Sequence, residues 1–330
     1  MVARERDPRN GGTQSGTAST VDATPSGVSS RHPHRALAPV QRRRSDEALG
    51  TLVLIGGACT PLGDALGAFL RLTGALEGAR VVGFTTASRD PVASAHAWAR
   101  DLATAGARNV EIPIIDRRQR AQDRRIAALV RDADGIFLGG GDQVHLVATL
   151  GGSAVGEAIQ EAFHRGIVIC GTSAGAAALT EMILAGGEVD EAGEHVEMYI
   201  GPGLGFLGFH AVIDTHFAQR RRLHRLFTAI SRNPQLMGLG IDEDTALVVR
   251  GHLGQVVGRG GVTFVDGRDV RFDNADEARE TGQLTLSHLR VGIVGHGYTF
   301  NLRERELEVL VQARENEGAE CPSVKGDGAQ

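Results

Sequence analysis

The sequence predicts an α/β protein with a doubly wound, mostly parallel sheet and helices on both faces. Three observations predict it. Short apolar runs closed by glycine recur through the first half of the chain. Each is followed by a stretch whose apolar residues fall at helical spacing. The two kinds of segment alternate, which is the pattern of βαβ units.

The elements follow in order. "TLVLIGG" from Thr51 reads as a buried strand, and "PLGDALGAFLRLTGAL" as the helix after it. "RVVGFTTAS" is a second strand. "DPVASAHAWARDLATAG" is a second helix, with Asp90 as N-cap and Gly106 as its stop. "NVEIPIID" and the charged helix "RQRAQDRRIAALVRDA" come next. "GIFLGGG" is a fourth strand, "SAVGEAIQEAFHRG" a helix, and "IVICG" a fifth strand. In such sheets ligands bind beyond the carboxyl ends of the strands, so Gly139–Gly141 and Gly171–Gly175 should face one crevice. In the second half, "FHAVIDTHF" is a strand running into an arginine-rich helix, "AQRRRLHRLFTAISR". "LMGLGID", "TALVVRG" and "QVVGRGGVTFVD" are short β segments expected to extend the same sheet. Residues 1–46 form a basic tail rich in Ser, Thr, Pro and Gly, expected to be disordered. Residues 47–312 make a single α/β domain, and 313–330 a polar tail.

Composition bounds the function. The chain has 330 residues, 42% hydrophobic and 23% charged, as in soluble globular proteins. A formal charge of -5 gives no hint of a nucleic-acid surface, and no run reaches the ~20 apolar residues of a membrane span. Cys59, Cys170 and Cys321 lie far apart with no Cys/His cluster. That argues against a disulfide framework or a metal site and points to a reducing, cytoplasmic compartment. No cofactor is called for.

Gly171-Thr172-Ser173-Ala174-Gly175 fits G-x-S-x-G after an apolar strand, the pattern of a nucleophile elbow. The nucleophile sits in a strained turn where side chains two residues away would clash. The N–H of Ala174 is then free to stabilise an oxyanion. The alternative is a helix-opening turn with serine near the cap. The glycines of "FLGGGDQVHL" would let backbone N–H groups approach a ligand. Gly140 or Gly141 could supply a second oxyanion donor and Gln143 could donate to a substrate carbonyl, while Asp142 caps the next helix. Among twelve histidines, His216 stands out because it follows the strand "AVID" and should reach the same sheet edge as Ser173. In "GIDEDTALVV", Asp242, Glu243 and Asp244 read as a pocket wall or, rather, as a turn whose acids satisfy local N–H groups. Cys170 is core.

"GGGDQ", "GTSAGAAALTEMILAGGEVDE", "IDTHFAQRRRLHRL" and "GLGIDEDTALVV" occur in an order and spacing that resemble the cyanophycinases. These belong to a family of serine peptidases that also contains aspartyl dipeptidases, and the resemblance covers roughly residues 50–300. It implies a fold like that of class I glutamine amidotransferases. It also implies hydrolysis of cyanophycin, a polyaspartate with arginine on each β-carboxyl, to β-aspartyl-arginine. It puts the nucleophile on Ser173, the base on His216 and the orienting acid on Glu191, with Glu188 and Glu194 as neighbours. It places Gln143, Asp214, Thr215, Arg220, Arg222 and Arg225 in the substrate pocket; Thr215 departs from the glutamine common there. Arginine forks suit the substrate's carboxylates, and Asp214 would pair its guanidinium. The three arginines do not form one helical stripe, so some are expected to bond groups within the protein, and a solvated basic face is the other reading. The implied partners are cyanophycin or an aspartyl peptide and a second copy of the chain, with no nucleic acid and no membrane. The alternatives are an aspartyl dipeptidase, or a non-catalytic member of the fold that binds a metabolite.

Overall fold

The computed structural model describes residues 49–186, 197–278 and 283–308. The two expected tails lie outside these residues.

The first half alternates as expected. It runs β1 (Leu52–Ile55), α1 (Asp64–Thr73), β2 (Arg80–Phe84), α2 (Pro91–Thr104), β3 (Asn109–Glu111), α3 (Arg124–Arg131), β4 (Gly135–Leu138), α4 (Gln143–Leu150), α5 (Ala154–His164), β5 (Val168–Thr172) and the single turn α6 (Ala174–Ala177). Local chemistry sets the boundaries. Asp90 accepts from Ala93 N to open α2, and Asp142 accepts from Val144 N and His145 N to open α4. The expected charged helix before β4 begins only at Arg124, where Asp123 caps it.

These strands form the parallel side of a sheet whose order ends β1-β5-β4-β2-β3. Period-two alternation places helices on both faces. Phe137 of β4 meets Phe69 of α1 and Trp98 of α2, with ring centroids 6.2 Å and 4.6 Å away. Its neighbours Ile136 and Leu138 join the core cluster that holds Ile126 and Val130 of α3 and Ile159 and Phe163 of α5. Burying one such side chain stabilises by about 1.5–3 kcal/mol.

The second half holds β6 (Met182–Ala185), β7 (Tyr199–Pro202), β8 (Ala211–Thr215), α7 (Leu223–Arg232), β9 (Met237–Ile241), β10 (Thr245–Arg250), β11 (Leu253–Gly258), β12 (Gly261–Asp266), β13 (Phe272–Asp273), β14 (Leu286–Ser287), β15 (Arg290–Gly295), β16 (Thr299–Asn301) and β17 (Glu306–Glu308). Here one expectation is corrected. Only some of these strands extend the first sheet: β10 pairs antiparallel with β1, and β11, β16 and β17 follow. Strands β8, β9, β12 and β15 make a separate sheet in the order β15-β12-β9-β8. The cause is edge occupancy. β1 has β5 on one edge and β10 on the other, so β8 and β9 pair with each other instead. The two sheets meet through stacked Phe264 of β12 and Phe300 of β16, with centroids 3.5 Å apart. A second correction concerns α7. It starts at Leu223 rather than at Ala218, because Arg221 turns to φ 53° and Arg220–Arg222 form a turn.

Candidate active site

The site lies at the carboxyl ends of β1, β4, β5 and β8. Ser173 follows β5 directly, with φ 53° and ψ −121°. A non-glycine residue rarely holds this conformation, so the surroundings must enforce it. They do: a Cβ on Gly171 would come 2.4 Å from Gly175 O, and one on Gly175 would come 2.2 Å from Leu138 O. Both flanking positions exclude any side chain, as the motif requires.

His216 follows β8, at φ 51°. Its Nε2 lies 2.9 Å from Ser173 Oγ, and its Nδ1 lies 2.7 Å from Glu243 Oε1. Glu243 comes from the turn between β9 and β10, which crosses from one sheet to the other. That turn is tied down on each side of Glu243. Asp242 accepts from Ala218 N at 3.0 Å and from Gly261 N at 2.9 Å. Asp244 accepts from Thr60 N at 3.1 Å. The Glu243 backbone N–H donates to Gln219 Oε1 at 3.0 Å. Asp242 and Asp244 do satisfy backbone N–H groups, but those of Ala218, Gly261 and Thr60, distant in sequence rather than local as expected, and the sequence reading misses Glu243. Glu191, Glu188 and Glu194 lie outside the described residues. The signal that could have found Glu243 is its place in the turn that follows a strand, but three consecutive acids gave no means of choosing among them.

Burial pushes the His216 imidazole below its usual value. Arg220 and Arg222 push the same way, against the Glu243 carboxylate. The ring is thus neutral near neutral pH, with one nitrogen able to accept from the serine hydroxyl and the other held by a carboxylate. This chain of three can move a proton from Ser173 Oγ to His216. Among the described residues neither thiol is suited to take the serine's part. Cys59, 3.8 Å from Thr172 Oγ1, is pushed up to about 11 by burial, and the fully buried Cys170 is pushed well above its ordinary value.

The remaining expected residues divide. Gly140 lies against the serine: a Cβ there would be 3.1 Å from Ser173 Cβ and 3.6 Å from Oγ. Among the described residues the N–H groups of Gly140 and Ala174 donate to no backbone carbonyl. Gln143 Nε2 donates to Leu184 O at 2.8 Å, so this donor is used within the protein. Asp214 is only 2% exposed, and its Oδ1 accepts from Arg222 Nη1 at 3.0 Å and Arg225 Nη1 at 2.5 Å. The expectation that it meets a substrate guanidinium is corrected, because the protein's own arginines take Oδ1 and burial closes the carboxylate to an incoming group. Burial pushes its carboxyl up, against the pull of both guanidinium groups. Arg222 also donates to Thr215 O and Arg225 to Gly186 O. Thr215 is buried and Arg220 is exposed. Arg220 is therefore the member of the trio that faces solvent beside His216. Among the described residues no group of three or more His, Cys, Asp and Glu could hold a metal ion. No helix among them is long and apolar enough to cross a membrane.

A mixed sheet whose parallel half presents a serine on a strand-to-helix turn, against a histidine and a carboxylate, has the arrangement of a serine hydrolase. The comparisons make the class specific. The model of peptidase family S51 matches residues 52–257, and the chain belongs to that family. Cyanophycinases of Trichormus variabilis and Nostoc sp. are each 34% identical to it over 270 residues, covering 80% of this chain and 90% of theirs. The cyanophycinase of Synechococcus elongatus is 34% identical over 286 residues, 84% of this chain and 88% of its own. A crystal structure of a peptidase from an acI-B1 Actinobacterium shares the fold, at a TM-score of 0.57 and 21% identity over 77% of this chain and 97% of that one.

Proposed function

We propose that the protein is an exopeptidase that hydrolyses cyanophycin to β-aspartyl-arginine through an acyl-enzyme on Ser173. The observation that carries the chemistry is the hydrogen-bonded chain Ser173–His216–Glu243, at 2.9 Å and 2.7 Å. The substrate assignment rests on the cyanophycinase relatives, which align over most of the chain.

In this reading His216 Nε2 takes the hydroxyl proton as Ser173 Oγ attacks a backbone carbonyl of the polyaspartate. Glu243 holds the tautomer and stabilises the imidazolium. The N–H groups of Ala174 and Gly140 are the donors for the tetrahedral oxyanion. His216 then gives its proton to the leaving amine. Water, deprotonated by the same imidazole, releases the acid product and restores the serine. Arg220 is the exposed guanidinium placed to receive a substrate carboxylate, with Gln143, Thr215, Arg222 and Arg225 shaping the pocket behind it.

The test is incubation of the purified protein with insoluble cyanophycin, with mass spectrometry of the supernatant for β-aspartyl-arginine. Dipeptide from wild type and none from Ser173→Ala is expected. Turnover by Ser173→Ala would overturn the mechanism. No dipeptide, with Ser173 still labelled by a fluorophosphonate, would discard cyanophycin and turn the search to aspartyl dipeptides.

A further inference from the structure

The glycine pair that closes β1 has no part in the chemistry just described, yet it touches all of it. Three consecutive carbonyls there accept from the backbone beside each member of the chain. Ser173 N donates to Ile55 O at 2.9 Å, His216 N to Gly56 O at 2.7 Å, and Asp244 N to Gly57 O at 2.9 Å. Gly57 goes further. At φ +102° a Cβ on it would lie 2.3 Å from His216 Cε1 and 2.4 Å from Nε2. The imidazole edge that faces Ser173 therefore occupies the space a side chain at 57 would take.

We infer that Gly57 is a positioning residue: the end of β1 is the seat that sets the spacing of Ser173, His216 and Glu243, and the missing side chain at 57 fixes the ring's distance from the serine. The inference rests on the assignment of these three residues as the catalytic set. Any Cβ at 57 must push the imidazole off Ser173 Oγ. Displacing a reacting group by about 1 Å costs on the order of 100-fold in rate.

Gly57→Ala also strains the backbone, so it needs a control with that strain alone. Gly78 supplies one: its φ is +107°, nothing lies within 4 Å of a Cβ built on it, and it precedes the amino end of β2, at the opposite edge of the sheet from the site. Cyanophycin hydrolysis is measured for wild type, Gly57→Ala, Gly78→Ala and Ser173→Ala. Gly78→Ala should keep wild-type kcat. Gly57→Ala should lose about 100-fold in kcat with little change in KM, and its pH–rate profile should lose the acid limb set by His216. The melting temperature of Gly57→Ala is also compared in the wild-type and His216→Ala backgrounds. If the methyl collides with the ring, removing the ring relieves the cost, and the drop shrinks.

A kcat loss together with a smaller drop in the His216→Ala background supports the proposal, as does a Gly57→Ala protein that folds only in that background. A kcat equal to that of Gly78→Ala overturns it. So does an equal melting drop in both backgrounds, or failure to fold in both. Turnover by Ser173→Ala would instead remove the catalytic assignment beneath it.

Discussion

Arg225 and Asp214 form an ion pair inside the protein, with Nη1 2.5 Å from Oδ1 and side chains only 7% and 2% exposed. Arg222 shares the same oxygen at 3.0 Å. One carboxylate thus faces two guanidinium groups directly behind His216. Removing its charge leaves both cations buried beside the base. Asp214→Asn should destabilise the fold by about 3–5 kcal/mol, measured by denaturant unfolding. Stability within 1 kcal/mol of wild type, on the order of what a surface substitution produces, would show that the pair does not hold the β8–α7 junction.

Glu243 and Glu191 can be separated by kinetics. Glu243→Gln keeps the size of the side chain but lets the imidazole take the wrong tautomer. It should lower kcat by about 10³–10⁴ with the fold intact. Glu191→Gln should stay within about threefold of wild type, because an orienting group matters only where it holds the ring. The reverse result would return the acid to Glu191.

The pH profile follows from the direction of the His216 shift. Burial, Arg220 and Arg222 hold the imidazole below its usual 6.5. The base is active when neutral, so the acid limb of kcat/KM should have its midpoint below 6.5, and activity falls as pH drops through it. Arg220→Gln removes one of the charges that disfavour the imidazolium. Its midpoint should move up, toward neutral pH, while KM rises. An unchanged midpoint would show that Arg220 does not face the ring.

Gln219 holds the Glu243 backbone through its carbonyl oxygen, at 3.0 Å. Gln219→Leu should lower kcat about fivefold to tenfold, the worth of roughly 1 kcal/mol of hydrogen bond. Gln219→Glu keeps the acceptor and should recover most of that loss in steady-state assays.

Arg305, in the turn between β16 and β17, donates to Asp266 Oδ1 at 2.6 Å and to Gln235 O at 2.7 Å. Burial pushes the Asp266 carboxyl up, but hydrogen bonds from Arg268 and Arg305 win and hold it below its ordinary value. The contribution is therefore present at neutral pH and is lost as pH falls through that depressed value. Arg305→Met should cost about 1–2 kcal/mol in urea unfolding at pH 7 and less in strong acid. Equal losses at both pH values would rule out the charge as the cause.

Much of this was legible in the sequence. The alternation from β1 to β5 is written in runs whose period changes from strand to helix, and G-x-S-x-G states its own steric demand. The split into two sheets was not legible. β8 through β12 have the same apolar texture whichever partner they take, and the choice depends on β10 reaching the free edge of β1. The pairing of Arg222 and Arg225 with Asp214 was hidden for a related reason. A run of arginines looks alike whether it waits for a ligand or is already satisfied, and only the turn at Arg221 decides which guanidinium points inward. Glu243 stands 27 residues beyond His216, across α7 and β9, and no local pattern links the two.

The turn that carries Glu243 joins strands of two different sheets. Ser173 is complete once β5 is in place, while His216 and Glu243 arrive with the second sheet. A nascent chain that has folded only its parallel half holds a serine with no base. On the proposed mechanism, hydrolysis therefore requires the second sheet to have docked against the first. In the mature protein, any opening of that layer that carries His216 away would leave Ser173 without its hydrogen-bond partner.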